Sequence, residues 1–326
     1  MRVLGLGNAL VDILARINDD AMLQQLSLPK GSMQLVDEQN ATNVSLAIKD
    51  FQKAQASGGS AANTIHGLAN LGVQTGFIGK VGVDDLGTFF KQDMEQSNIF
   101  PHLFYSGNNK SGHCTSLISA DSERTMATYL GAAIELSSAD LTESLFDNYH
   151  YFHVEGYLVQ NFDLIESALK IAKQKGLKIS LDLASYNVVE ANLEFLTHLV
   201  EEYVDILFAN EEEAKSFSGK EGHEALQYMG SKVDVAVLKL GKNGSLIKHF
   251  DEIIEVGVIP VKSIDTTGAG DLYAAGFLYG LINQLSPRLC GEVGAILSGN
   301  VIEVIGPKMD QERWTHVRTA IELLKN

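Results

Sequence analysis

FDLIESALKIAKQKGLKISLD, residues Phe162 to Asp182, reads as a helix followed by a strand. Leu164, Ile165, Ala168, Leu169 and Ala172 share one face of a 3.6-residue period that runs to Lys175; Gly176 ends it, and Lys178 to Asp182 is a short apolar run. Another apolar run, His150 to Val154, precedes the helix, and strand, helix, strand at this spacing predicts a parallel sheet. The alternation spreads outward. Arg2 to Gly7, Thr75 to Val81, Val204 to Ala209 and Val233 to Leu240 are strand-like, and three helices are expected near the end, over Ala269 to Asn283, Ser286 to Ile305 and Asp310 to Leu324. The main body is therefore expected to be α/β.

Two segments interrupt this pattern. Arg16 to Asp37 and Ser106 to Leu130 are polar and turn-rich, and the second holds two alternating stretches, His113 to Ala120 and Arg124 to Leu130, of the half-buried strand type. A small β-rich lid, from about residues 16–37 and 106–130, is expected on a single domain of 326 residues. With 45% hydrophobic and 20% charged residues the composition is that of a folding chain, and no apolar run approaches the ~20 residues a spanning helix needs. Met1 to Asn8 reaches a polar residue too early for a secretion signal, so a cytoplasmic location is expected. The net charge of −16 opposes non-specific attraction to nucleic acid or an anionic membrane, and neither is an expected partner. Cys114 and Cys290 are far apart and in no CxxC pair, which argues against a disulfide framework or a thiolate zinc site.

The strongest local signal is Asp265-Thr266-Thr267-Gly268-Ala269-Gly270-Asp271, leading into the apolar run Leu272 to Leu281. Small residues let the backbone approach a ligand, and the helix that follows aims its free N–H groups at that spot, which makes an anion hole. Asp271 sits in the first turn, where the dipole favours its ionised form, and such a carboxylate can take the proton of an attacking hydroxyl. A capped helix after a glycine turn is the plain alternative.

Weaker clusters surround it. Ser57-Gly58-Gly59-Ser60-Ala61-Ala62-Asn63 enters a second helix, where the glycine pair offers backbone donors to a substrate hydroxyl and Asn63 reaches the same place from one turn further on; simple helix–sheet packing explains the small residues equally well. Near the start, Gly5-Leu6-Gly7-Asn8-Ala9-Leu10-Val11-Asp12 begins like a dinucleotide fingerprint, but the third glycine position holds Leu10. Asn8 and Asp12 read instead as polar residues ending the first strand, Asp12 suited to adjacent hydroxyls. No Walker A pattern occurs. Asn210-Glu211-Glu212-Glu213 follows an apolar strand at the end where open α/β sheets bind ligands; Asn210 and Glu213 share a helical face able to hold Mg²⁺ through water, or simply begin an acidic helix. His150 and His153, three apart on a strand, point to opposite faces and make a poor metal pair. Arg124, in the lid, is either a mobile cation that closes over phosphate or a surface residue.

In combination and order, Gly7-Asn8 with Asp12, Gly59 to Asn63, Gly79-Lys80-Val81-Gly82-Val83-Asp84-Asp85-Leu86-Gly87, Asn210 with Glu213, and Asp265 to Asp271 resemble the ribokinase-like (PfkB) family of small-molecule kinases over essentially the whole chain. The resemblance implies a doubly wound, mostly parallel sheet flanked by helices with a small lid, and transfer of the ATP γ-phosphate to a primary hydroxyl. It implies Asp271 as catalytic base, and Gly268, Ala269 and Gly270 as anion hole. Asn8, Asp12, Gly58, Gly59, Asn63 and the lid's Arg124 become substrate contacts, and Asn210, Glu213 and Gly241 nucleotide contacts. Glu213 holds Mg²⁺ through water, and Asp265 and Thr267 hold an activating K⁺. Where the family often has Thr-x-Gly this chain has Lys239-Leu240-Gly241, so a hydroxyl is lost. The motifs around Asn8 and Ser60 look most like the adenosine kinase branch, since members built for free sugars often carry Lys where Ser60 stands. A ribonucleoside acceptor is expected, with a free sugar or sugar acid as the other reading. A sensor that binds without transfer would lose the base or the glycines, and both are intact. A homodimer through the lid would cover an exposed sheet face.

Overall fold

The computed structural model of the chain describes residues 1–121 and 123–325, so Ser122, inside the expected lid, and Asn326 lie outside the described residues. The strands among the described residues are, in chain order, β1 (Arg2–Leu6), β2 (Leu10–Arg16), β3 (Met33–Leu35), β4 (Lys53–Gly58), β5 (Gln74–Gly82), β6 (Ile99–Ser106), β7 (Gly112–Ile118), β8 (Arg124–Tyr129), β9 (Tyr151–Glu155), β10 (Lys178–Asp182), β11 (Ile206–Asn210), β12 (Val235–Lys239), β13 (Ser245–His249) and β14 (Glu252–Val256). They form a nine-stranded sheet in the order β14-β13-β12-β11-β10-β9-β1-β5-β6 and a five-stranded sheet in the order β3-β8-β7-β2-β4. The large sheet is parallel from β12 to β6, with β13 and β14 added as an antiparallel hairpin. The chain begins at β1, builds outward through β5 and β6, then returns to lay β9 on the other side of β1. The strand order therefore reverses between β1 and β9, the place where open α/β sheets bind ligands.

Both faces of the large sheet are covered. Phe152, Val154, Ile179 and Leu181 point to one side, where Leu164, Ile165, Ala168, Leu169 and Ala172 of the helix Phe162–Gln174 pack on them, the stripe read from the sequence. Val3, Phe77 and Phe208 point to the other, against the helices Ser60–Asn70 and Ala269–Ile282. Each buried Phe or Leu is worth roughly 1.5–3 kcal/mol against exposure, so two such faces supply the main driving force for the layered body. The helix Ala269–Ile282 is apolar nearly all round because it is enclosed, with Leu272 to Leu278 buried.

The small sheet is wider than expected. Leu10–Arg16 and Lys53–Gly58 belong to it, whereas residues 16–37 contribute only the short β3 and the helix Ala21–Gln25. Its two faces differ. Val11, Ile13, Ala15, Leu117 and Ala127 are buried against Leu23, Leu28, Val44 and Ile48 of the chain's own helical segments, while Leu10, Asp12 and Leu14 face the sheet below. The Gly79–Gly87 motif is structural: the Asp84 carboxylate caps the helix Asp85–Gln96 through Gly87 N (2.8 Å) and receives Ser111 N (2.7 Å) and Oγ (2.6 Å), which anchors the approach to β7.

Candidate active site

The carboxyl ends of β1, β9, β10, β11 and β12 open into one cavity of about 2060 Å³ beneath the lid. A pocket for one small ligand takes roughly 300–1,000 Å³, so two ligands fit here end to end. Asp271 stands between the two halves. Gly268 adopts φ 74°, a left-handed turn that a side chain would strain, and swings the chain into the helix Ala269–Ile282. Ala269 N donates to the Thr266 carbonyl at 3.2 Å, and Leu272 N makes the first bond back to Gly268 O at 2.8 Å. The N–H groups of Gly270 and Asp271 therefore precede any intrahelical acceptor and line the cavity with the positive end of the dipole. The Asp271 carboxylate accepts from Ser60 Oγ (2.7 Å) and Asn63 Nδ2 (2.9 Å). Burial pushes its pKa up to about 6, against those two hydrogen bonds and the nearby Lys239 ammonium, which pull it down.

On one side of Asp271 the lid supplies a carboxylate. Asp12 lies in the middle of the lid strand β2 rather than at the end of the first strand, because Asn8 stops β1: its N and Nδ2 both donate to Glu155 Oε1, at 2.9 and 2.7 Å, and the chain turns away. Burial pushes Asp12 up to about 7, with Lys308 and Arg124 opposing and Asp271 adding to the rise. A Cβ on Gly58 would sit 2.4 Å from the Asp12 carboxyl, so Gly58 makes its space, and Gly59, at φ 98°, starts the helix Ser60–Asn70. The Asn63 Oδ1 is buried and unpartnered among the described residues, an acceptor aligned with the Asp271 side by its own Nδ2 bond.

Glu155, at the end of β9, also receives Ala61 N at 2.9 Å, so one buried carboxylate joins β1, β9 and the helix Ser60–Asn70 where the strand order reverses. Burial outweighs these donors and pushes it up to about 7. Glu155, Asp182 and Lys308 are site residues that the sequence reading does not single out, and it gives Ser60 no contact of its own. A signal is present for two of them: Glu155 and Asp182 each end an apolar run, as Asn210 does.

On the other side, Asn210 and Glu213 form a capping box. Glu213 N donates to Asn210 Oδ1 (2.9 Å), and Asn210 N and Nδ2 donate to Glu213 Oε2 (2.8 Å) and Oε1 (2.7 Å). Glu213 is buried, which pushes it up to about 7 although Lys239 opposes the rise. Each of its oxygens keeps a lone pair for water, so the pair fits a Mg²⁺ held through water. Gly241 lines the cavity, and Val258, Ile259, Val261 and Ile302 line an apolar slot beyond it. Lys239 ends β12 beside Asn210 and donates to Asp182 Oδ2 at 2.6 Å.

Arg124 is not free. Its guanidinium pairs with Asp265 Oδ2 at 2.5 Å and donates to Thr267 Oγ1 at 2.5 Å, closing the lid strand β8 onto the anion-hole loop. Asp265 also accepts from Thr267 N (3.0 Å) and Gly306 N (2.6 Å). With both oxygens donated to and its charge answered by Arg124, Asp265 does not fit a K⁺ held together with the Thr267 side chain. Of the residues singled out in the sequence, Asn8, Asp12, Gly59, Asn63, Arg124, Asn210, Glu213, Gly241, Thr267 and Gly268 to Asp271 line the cavity; Gly58 and Asp265 stand just behind its wall.

The fold has known counterparts. A probable sugar kinase protein from Rhizobium etli CFN 42 is 33% identical, with 98% of each chain covered and a TM-score of 0.87. The adenosine kinase from Sinorhizobium meliloti is likewise 33% identical over 98% of each chain, with a TM-score of 0.86. A 5-dehydro-2-deoxygluconokinase from Geobacillus thermodenitrificans is 29% identical, covering 75% of this chain and 78% of that protein. The model of the pfkB family carbohydrate kinases matches residues 32–313. With a family model matched over most of its length and relatives 33% identical over 98% of each chain, the chain belongs to the pfkB family of carbohydrate kinases, phosphotransferases of sugars and nucleosides.

Proposed function

We propose that the chain transfers the γ-phosphoryl group of Mg-ATP to the primary hydroxyl of a ribonucleoside, with adenosine as the model acceptor. The observation that carries this reading is the shape of the acceptor half. Asp12 and the open Asn63 Oδ1 offer hydrogen-bond acceptors beside Asp271, and beyond them the lid presents Leu10, Leu14, Met33, Leu35 and Met126. Ribose hydroxyls match the polar part and a flat base matches the apolar wall. Among the described residues lining that half, the cation is Arg124, already paired with Asp265, so a carboxylated sugar has less to bind.

In the proposed reaction the acceptor hydroxyl donates to Asp271 and loses its proton to it as oxygen bonds to the γ-phosphorus; the bond to the β-phosphate oxygen breaks and ADP leaves with the electron pair. Gly270 and Asp271 N–H groups stabilise the charge on the moving phosphoryl group, and the lid excludes water, the competing acceptor. Glu213, oriented by Asn210, would hold Mg²⁺ through water, and the ion would supply neutralisation of phosphate charge when bound with ATP.

The test is ADP release from Mg-ATP against a panel of ribonucleosides, free pentoses and hexoses, and sugar acids, with Asp271→Asn as the blank. A nucleoside should turn over, and the variant should lose roughly 10²- to 10⁴-fold while still binding ATP. Turnover confined to a sugar or sugar acid would keep the chemistry and replace the acceptor. Ligand-induced stabilisation with no ADP release from any of them would leave a sensor.

A further inference from the structure

We infer that Lys239 is a catalytic cation whose ammonium contacts the phosphate chain of the nucleotide at the point of transfer, held in place by Asp182; the inference rests on the kinase reading above. Three independent features of the structure converge on this residue. Its stem runs beneath the first turn of the anion-hole helix: a Cβ built on Gly270 would lie 3.1 Å from Nζ and 3.9 and 4.0 Å from Cε and Cδ. A side chain at Gly270 would therefore press on this cation, which would have to yield by a few tenths of an ångström. Both Lys239 and Asp182 line the cavity, with the Lys239 side chain 15% exposed and its partner Asp182 only 6%. Among the described residues the 2.6 Å bond to Asp182 is the ammonium's one hydrogen bond, which leaves two of its three donors for the cavity.

The charge around it argues the same way. Burial alone would lower the Lys239 pKa, but the Asp182 and Glu213 carboxylates outweigh burial and raise it, so the group stays cationic throughout the physiological range and acts as neither base nor proton shuttle. Asp182, Glu213 and Asp271 are the acidic groups that face it. A polyanionic triphosphate entering beside three acids meets Lys239 as the resident positive charge next to the Gly270 N–H. The ammonium offers a full positive charge whose attraction strengthens as negative charge builds on the transferred group. Asp182 is the positioning residue of the pair.

The test compares wild type with Lys239→Met, Lys239→Arg and the double variant Lys239→Met/Asp182→Asn, which removes the cation together with its buried partner in case the single change unfolds the chain. Titration with Mg-bound β,γ-imido-ATP and with Mg-ADP reads the contact without an acceptor. Loss of the ammonium should weaken the triphosphate analogue about tenfold more than ADP, and kcat should fall roughly 10²-fold, with part of both restored in Lys239→Arg. Because Lys239 holds the Asp271 pKa down, the acid limb of the rate profile should move to higher pH in Lys239→Met. Wild-type kcat and an unchanged triphosphate-to-diphosphate ratio in the Met variants, with only a lower melting temperature, would reduce Lys239 to a structural counter-ion and overturn the inference. If wild type binds the analogue but no acceptor turns over, the binding arm still decides for or against Lys239; if wild type binds neither nucleotide, the kinase reading falls and takes the inference with it.

Discussion

An alcohol releases its proton only as the new bond to phosphorus forms, so the base that receives it needs to be ionised beforehand and yet more basic than a solvated aspartate. The structure tunes Asp271 between those demands: burial raises it to about 6, while Ser60, Asn63 and Lys239 keep it from rising further. Turnover should therefore fall about tenfold per pH unit below about 6 as the base protonates. Ser60→Ala removes one lowering bond and should move that limb upward; an unmoved limb in a pH–kcat series would detach the titration from Asp271. Asp12 makes a different prediction. Its folded pKa of about 7 lies above the ordinary 3.8, so the folded state holds its proton more tightly than the unfolded chain does. The stabilisation this gives is full below pH 3.8 and is lost as pH rises to about 7, after which the ionised, buried carboxylate is a constant cost. Asp12→Asn should match wild-type stability near pH 4 and exceed it at pH 8 by about 4 kcal/mol, while the KM of the acceptor rises steeply. Denaturant unfolding at the two pH values checks the first half; equal differences at both would place the gain elsewhere.

At the scale of elements, the capping box of Asn210 and Glu213 serves both the helix Glu211–Ser218 and the site. Asn210→Ala strips the cap and the side-chain donor to Glu213 Oε1, leaving only the backbone N–H of residue 210 to orient that carboxylate. The loss should be roughly 1–2 kcal/mol of stability, typical of a lost N-cap, with a higher KM for Mg-ATP and an unchanged KM for the acceptor. An effect on both substrates alike would mean that the box props the whole cavity rather than its nucleotide half. This box was legible because its spacing is local, and so was the stripe from Leu164 to Ala172, because packing against β9 and β10 demands the period that the sequence displays. The hairpin of β13 and β14 escaped notice: Lys248, His249, Glu252 and Glu255 give it a polar, exposed character at the sheet's edge, so no apolar run marks it. Strand β2 is hard to see because only Gly7 to Ala9 separate it from β1, so that in the sequence Asp12 reads as the end of the first strand.

Across the whole molecule, the lid is hooked to the body at two places by cations. Lys308, which burial pulls down to about 8, donates to Ser57 Oγ of β4 at 3.1 Å, and Arg124 of β8 grips Asp265 and Thr267. Such long-range pairs leave no trace in a sequence pattern: Arg124 and Thr267 are 143 residues apart, and neither periodicity nor motif spacing links them. The Arg124 pair is buried on both sides, with side-chain exposures of 12% and 6%, so removing one partner strands a charge that has little water to turn to. Asp265 would keep Thr267 N and Gly306 N, both on the body, whereas β8 would lose its tie across the cavity. The cost should consequently appear as local opening of the lid rather than as uniform weakening. In Arg124→Gln, amide hydrogen exchange in β7 and β8 should speed up at least tenfold, equivalent to about 1.4 kcal/mol, while exchange in β9, β10 and β11 stays as in wild type. Equal acceleration in both sheets would make the pair a support of the whole fold, and no acceleration in either would show the lid held by its apolar face alone. Because the same guanidinium stands over the anion hole, the lid and the phosphate compete for it, and ATP binding to wild type should reproduce part of the variant's loss of Asp265 pairing while adding protection of its own.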